Sequence, residues 1–162
     1  MDDALTLRFT RVSAEEHRFE YRRPDGTGEA LDLETRDTLF RDLLYFALET
    51  EAGLRGSFYG LLAKVGGYAE LRVGGGVALG GEIAVTERLI AALADTALDF
   101  DAAAAGVVEQ AGADFELHGE RAPRWFTADL VAKVGERMRD LDGRWRATHP
   151  GETMELRFPL AR

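Results

Sequence analysis

The chain contains no cysteine. That excludes disulfides, thiolate nucleophiles and sulfur-ligated zinc or iron–sulfur centres together, and it fits a reducing compartment, so a cytoplasmic location is expected. No apolar run approaches the roughly 18 residues needed to cross a bilayer. The longest compact one, Leu43 to Leu48, is bounded by charge on both sides. The opening residues Met1-Asp2-Asp3 are acidic where a secretory signal is basic. Histidine is scarce too. His17, His118 and His149 are scattered, and none sits one helical turn from another, so there is no preformed zinc pair. Ser13 and Ser57 are the only serines, and neither stands in a nucleophile elbow, which leaves a Ser-His-Asp triad unsupported.

What the chain has in excess is acid. Its formal net charge is −9, and a surface of that sign repels phosphate backbones and anionic head groups. Nucleic acid and membrane are therefore not expected partners. The visible basic clusters, Arg22 with Arg23 and Arg137 with Arg139 and Arg144, lie among acids and read as solvated faces. With 46% hydrophobic and 30% charged residues over 162 positions, the composition is that of one globular domain rather than a disordered segment.

Hydrophobic patterning is clear at the two ends. Leu5, Leu7 and Phe9 alternate with Thr6, Arg8 and Thr10, and Phe19 and Tyr21 alternate with Arg18, Glu20 and Arg22. Period-two alternation marks half-buried strands. Pro24-Asp25-Gly26-Thr27-Gly28 is a strong turn, and a third strand carries Leu31 and Leu33. Thr35 or Asp37 is then expected to cap a helix running to about Thr50, the most buried of the chain, stopped by Gly53. A short helix is expected over Ser57 to Val65. Residues 66–81 read as a flexible glycine-rich loop, with a short strand around Tyr68, Leu71 and Val73 as the alternative. A helix from Glu82 to about Leu98 follows, then a short helix from Asp101 to Ala111 and an extended stretch from Ala113 to His118. Thr127 caps a helix of some twenty residues whose buried side is Leu130, Val134, Met138, Leu141 and Trp145. His149-Pro150-Gly151 ends it, and Met154, Leu156, Phe158 and Leu160 alternate along a final strand.

The pattern predicts one α+β domain over residues 1–162. Its architecture is a four-stranded, mainly antiparallel sheet, the N-terminal meander joined by the C-terminal strand, with helices on one face.

Candidate chemistry is sparse. Val73 to Gly81 is rich in glycine but lacks G-x-x-x-x-G-K-[ST], and Leu79 stands where G-x-G-x-x-G needs glycine. Glu116, His118 and Glu120 would share a strand face, a trio that more often is a polar edge than a metal site. The close pairs Asp99 with Asp101, Glu49 with Glu51, and Asp140 with Asp142 follow from abundance, since 29 residues are acidic. The first helix carries a more specific pattern. Arg41, Asp42, Tyr45 and Glu49 recur at helical spacing and form a polar strip on an apolar rod. Buried, such a strip is a candidate ligand-binding site. Exposed, it is a solvated ladder, and the sequence favours the exposed reading.

The run Asp32-Leu-Glu-Thr-Arg36, Phe40-Arg-Asp-Leu-Leu-Tyr-Phe-Ala-Leu-Glu49 and Glu51-Ala-Gly-Leu54, with the closing Glu152-Thr-Met-Glu-Leu-Arg-Phe-Pro159, resembles a bacterial family of small proteins without an assigned activity. Its members read H-D-L-x-H-x-x-x-E at the helix. Here Arg41 and Tyr45 stand in the histidine positions, while Asp42 and Glu49 are kept. Arginine does not ligate metal at neutral pH, so no metal and no cofactor are expected. The functional expectation is a non-enzymatic binding or interaction protein; the alternative is a small-molecule enzyme or ligand-binding protein using the strip. Trp125 and Phe126 precede the last helix, with Trp125 expected to pack on the domain's own core. If exposed, these aromatics would offer a partner surface, and a homodimer is one arrangement that would use it.

Overall fold

Four strands and six helices are described in the computed structural model, which covers residues 3–64, 66–71, 81–94 and 100–160. Strands β1 (Ala4–Arg11), β2 (Glu16–Arg22) and β3 (Gly28–Glu34) form the meander, and β4 (Thr153–Pro159) returns from the far end of the chain. The order is β3-β2-β1-β4, every neighbour antiparallel. Leu7 lies opposite Tyr21 on one side and Leu156 on the other, and Phe9 opposite Phe19 and Met154. The period-two sets therefore meet in one apolar layer, where Leu5, Leu7, Phe9, Phe19 and Phe158 are fully buried. The opposite face of the sheet carries Arg8, Arg18, Asp32 and Glu155 into solvent.

Helix α1 (Thr35–Ala52) crosses the buried face and is enclosed from Asp42 through Glu49 without a break. Gly53, at φ 70°, stops it in the left-handed conformation that a side chain would resist. The expected cap is absent. Glu34 occupies that position with no side-chain cap hydrogen bond, and the Thr35 hydroxyl is taken by His17 Nδ1 at 2.9 Å.

Helix α2 (Phe58–Leu62) follows as expected. Residues Tyr68–Glu70 form a helical turn, α3, rather than the alternative strand. The Tyr68 amide and hydroxyl are held by Glu29 and Asp42, and those two anchors fix a turn. The remainder of the expected glycine-rich loop, 72–80, lies outside the described residues, as does the 95–99 end of the next helix, α4 (Gly81–Ala94). Helix α5 runs unbroken over Phe100–Leu117, so the extended stretch expected at 113–118 is corrected to helix. Ala104, Val107, Ala111 and Phe115 make one continuous buried stripe, and that burial outweighs the roughly 1 kcal/mol each that Gly106 and Gly112 cost.

Helix α6 (Ala128–Arg146) begins at a Thr127 cap and buries the stripe read from the sequence. It packs on both α5 and α1. Among the described residues, no helix is long and apolar enough to cross a membrane.

Candidate functional site

The strip on α1 is not an exposed face. Asp42 and Glu49 are 0% exposed and Tyr45 2%; Arg41 alone reaches solvent. The solvated ladder is thus corrected: α1 is covered by α2 and α3 on the side where the strip runs. Glu49 accepts hydrogen bonds from the Tyr59 amide at 3.0 Å and the Gly60 amide at 3.5 Å, so its carboxylate caps α2 from below. A Cβ at Gly60 would collide with the Arg55 carbonyl, so only glycine lets this turn close. Burial pushes the Glu49 carboxyl well above its ordinary range; the Gly60 and Tyr59 amides oppose that push.

Asp42 Oδ2 accepts from the Tyr68 hydroxyl at 2.7 Å, while the Tyr59 hydroxyl donates to the Asp42 carbonyl at 2.8 Å. Tyr45 stacks on Phe58 at 5.1 Å, and burial, with the nearby Glu87 charge, pushes its hydroxyl up to about 12. The strip residues therefore bind neighbouring backbone and tyrosines. Chemically they pin α2 and α3 to α1.

Arg23 belongs to the same tethering and is not a solvated face. It donates to the Leu62 carbonyl at 2.9 Å and the Gly66 carbonyl at 2.8 Å. Arg137 is also engaged, bonded to Glu51 at 2.8 Å.

The remaining sequence candidates do not assemble. Glu116 lies on α5, and His118 beyond its end turns back to the Asp114 carbonyl at 2.9 Å, so the trio shares no strand face. Glu120 instead meets Arg88 at 2.9 Å. Among the described residues, no group of three His, Asp or Glu side chains could hold a metal ion. Ser13 caps its own turn through the Glu15 and Glu16 amides. Ser57 is buried against Thr86 at 2.7 Å. Asp142 pairs with Arg146, and Asp99 lies outside the described residues. Phe126 enters the core, and Trp125, 36% exposed, lies edge-on to it at 6.3 Å.

A cleft that the sequence reading missed opens between α1 and α6. It measures ≈ 280 Å³. Leu39 and Leu43 from α1 with Met138 and Trp145 from α6 form its floor, Phe40 stands on its rim at 36% exposure, and Thr35, Arg36 and Asp142 supply the polar edge. Asp142 is paired, whereas the Arg36 guanidinium makes no ion pair among the described residues. The one sequence signal was Phe40, a large apolar residue in a helix that buries its other faces.

Behind Trp145 sits His17, fully buried, its ring edge-on to the indole at 5.9 Å. Burial lowers its pKa to about 4. Arg11, its partner across β1 and β2, stacks on the same indole at 4.5 Å. The chain finds no match among protein-family models, curated proteins or solved structures.

Proposed function

We propose that this protein is a non-enzymatic cytoplasmic interaction module that grips one ring-sized apolar group, from a ligand or a partner side chain, in the α1–α6 cleft. The observation carrying this is the cleft itself: ≈ 280 Å³ over an apolar floor, beside a rim phenylalanine, room for a single large side chain. Two packed helices build the floor, so the site is preorganised and binding costs little ordering. The cysteine-free composition supports the cytoplasmic placement.

Indole is a suitable probe. Titrated into labelled protein, it is expected to give saturable NMR shifts at the Met138 methyl, the Leu43 methyls and the Trp145 indole N–H. It should also raise the melting temperature, as any ligand specific to the native state must. Phe40→Asp, a change at an exposed position, should weaken both effects. Non-saturating shifts spread over the surface, or undiminished binding by Phe40→Asp, would overturn the reading.

The second reading, ligand chemistry at the α1 strip, is favoured by one observation, the raised pKa of Glu49. It requires a ligand to displace the Tyr59 and Gly60 amides from that carboxylate.

A further inference from the structure

The two edges of the sheet are unlike. On β4, Arg144 covers the Glu155 carbonyl at 3.0 Å, and Pro159 ends the strand, two features that blunt an edge. Among the described residues, β3 has no such cover. It pairs only with β2, and among the described residues no hydrogen bond from elsewhere reaches the backbone of Ala30 to Leu33 on its outer side. The N-terminal end of β3 is occupied differently: Glu29 accepts from the Tyr68 amide and from the Tyr21 hydroxyl. The Glu34 carbonyl accepts from the Thr38 hydroxyl at 2.8 Å, so the open stretch is Ala30 to Leu33, about 13 Å of extended backbone at the usual rise.

We propose that this open edge takes an extended segment of a partner protein, alternately basic and apolar, as a fifth strand. The pattern of β3 specifies the pattern of the guest. Leu31 and Leu33 face the helical layer and are half-buried, so an added strand would complete their cover with its own apolar side chains. Asp32 and Glu34 face the open side and are exposed. Glu34 lies across from Glu16, and the crowding of neighbouring acids, Asp37 first and then Glu16 and Glu15, raises its pKa. The nearest cations relieve little of it: Arg18, across from Asp32, is drawn to Glu20 at 3.1 Å, and Arg36 starts the next helix. Lysine or arginine on the outer side of the guest answers both carboxylates.

The same charges argue against a second copy. Antiparallel pairing of two β3 strands would bring Asp32 and Glu34 of each against acids of the other, on chains that each carry −9. The guest is thus a different chain, and this inference stands whether or not the α1–α6 cleft binds anything.

The test uses the full chain, isotope-labelled, and three capped heptapeptides. The first is Lys-Val-Lys-Val-Lys-Val-Lys, the second replaces lysine by glutamate, and the third keeps lysine but carries N-methyl groups on alternate amides. The lysine peptide is expected to shift the amides of Ala30 to Leu33 saturably, slow their hydrogen exchange, and bind less well as salt rises. N-methylation, which removes ladder donors and keeps the charge, should weaken binding about 10-fold or more. The variant Asp32→Lys/Glu34→Lys, changed only at exposed positions, should reverse the preference toward the glutamate peptide. No saturable shift at millimolar lysine peptide would overturn the proposal. Equal binding of the N-methylated peptide would do so too, since charge alone would then explain it. Concentration-dependent protection of these amides without peptide would place a second copy there and would also overturn it. Failure of the indole titration would leave these readouts untouched.

Discussion

Protonating His17, itself 0% exposed, puts a buried positive charge beneath Trp145, the indole on which the Arg11 guanidinium also stacks. Its folded-state pKa, about 4, lies below the unfolded value of 6.5. A depressed pKa means the stabilising contribution is whole above pH 6.5 and is lost as pH falls through 4. The gap corresponds to roughly 3 kcal/mol. Urea unfolding between pH 7.5 and 4.5 should show this loss, and His17→Leu should remove most of it while giving up about 1 kcal/mol of the Thr35 hydrogen bond at every pH. An unchanged acid slope in His17→Leu would mean that another group drives it. Glu49 works in the opposite direction along the pH axis. Its carboxyl is raised, so the protonated form fits the fold better, and stability declines as pH rises through the folded pKa. Glu49→Gln should flatten that decline and keep an acceptor for the Tyr59 amide. Glu49→Ala, which strands two buried amides, should cost roughly 1–3 kcal/mol at all pH values.

Among the elements, α6 depends visibly on its first turn. The Thr127 hydroxyl accepts from the Leu130 amide at 3.2 Å, and Thr127→Ala should lower stability by about 1 kcal/mol in chemical denaturation. A change below a few tenths would mean that packing alone sets the helix start. This cap was legible because capping is local: a threonine, then a buried stripe at helical period. The four strands were legible for the same reason, since alternation assigns each side chain a face before any partner is known. Failures came where a distant residue decided a local state. The first helix reads as having a polar side, and nothing near Asp42 or Glu49 reveals that Tyr68 and the Tyr59 amide arrive to bury it. The expected short helix ends at Ala111, and only the continuous stripe from Ala104 to Phe115 shows why it runs on through Gly112. The cleft is illegible for a further reason: its floor residues, Leu43 and Met138, are ordinary core positions, and a cleft is a property of how two helices are spaced.

On the scale of the whole molecule, the chain ends close the sheet, since β1 sits between β2 and β4 and Leu5 lies opposite Phe158. Phe158 is fully buried and joins three regions: its ring meets Phe46 of α1 at 6.4 Å, Tyr59 of α2 at 5.8 Å, and the Arg55 guanidinium at 5.3 Å. Removing it opens a cavity where sheet, long helix and the 54–62 segment converge. Phe158→Ala should therefore cost about 3–5 kcal/mol, a large share of the 5–15 kcal/mol typical of a domain. The loss should appear as a lower urea midpoint at unchanged slope. The same variant tests whether sheet and helical layer form one cooperative unit. Tryptophan fluorescence reports largely on α6 through buried Trp145, whereas far-UV circular dichroism averages over the backbone. If the layers share one core, both transitions move together and still coincide in Phe158→Ala. If the fluorescence midpoint stays near the wild-type value while circular dichroism shifts, α6 and its neighbours hold a core of their own, and the sheet is not what they fold upon.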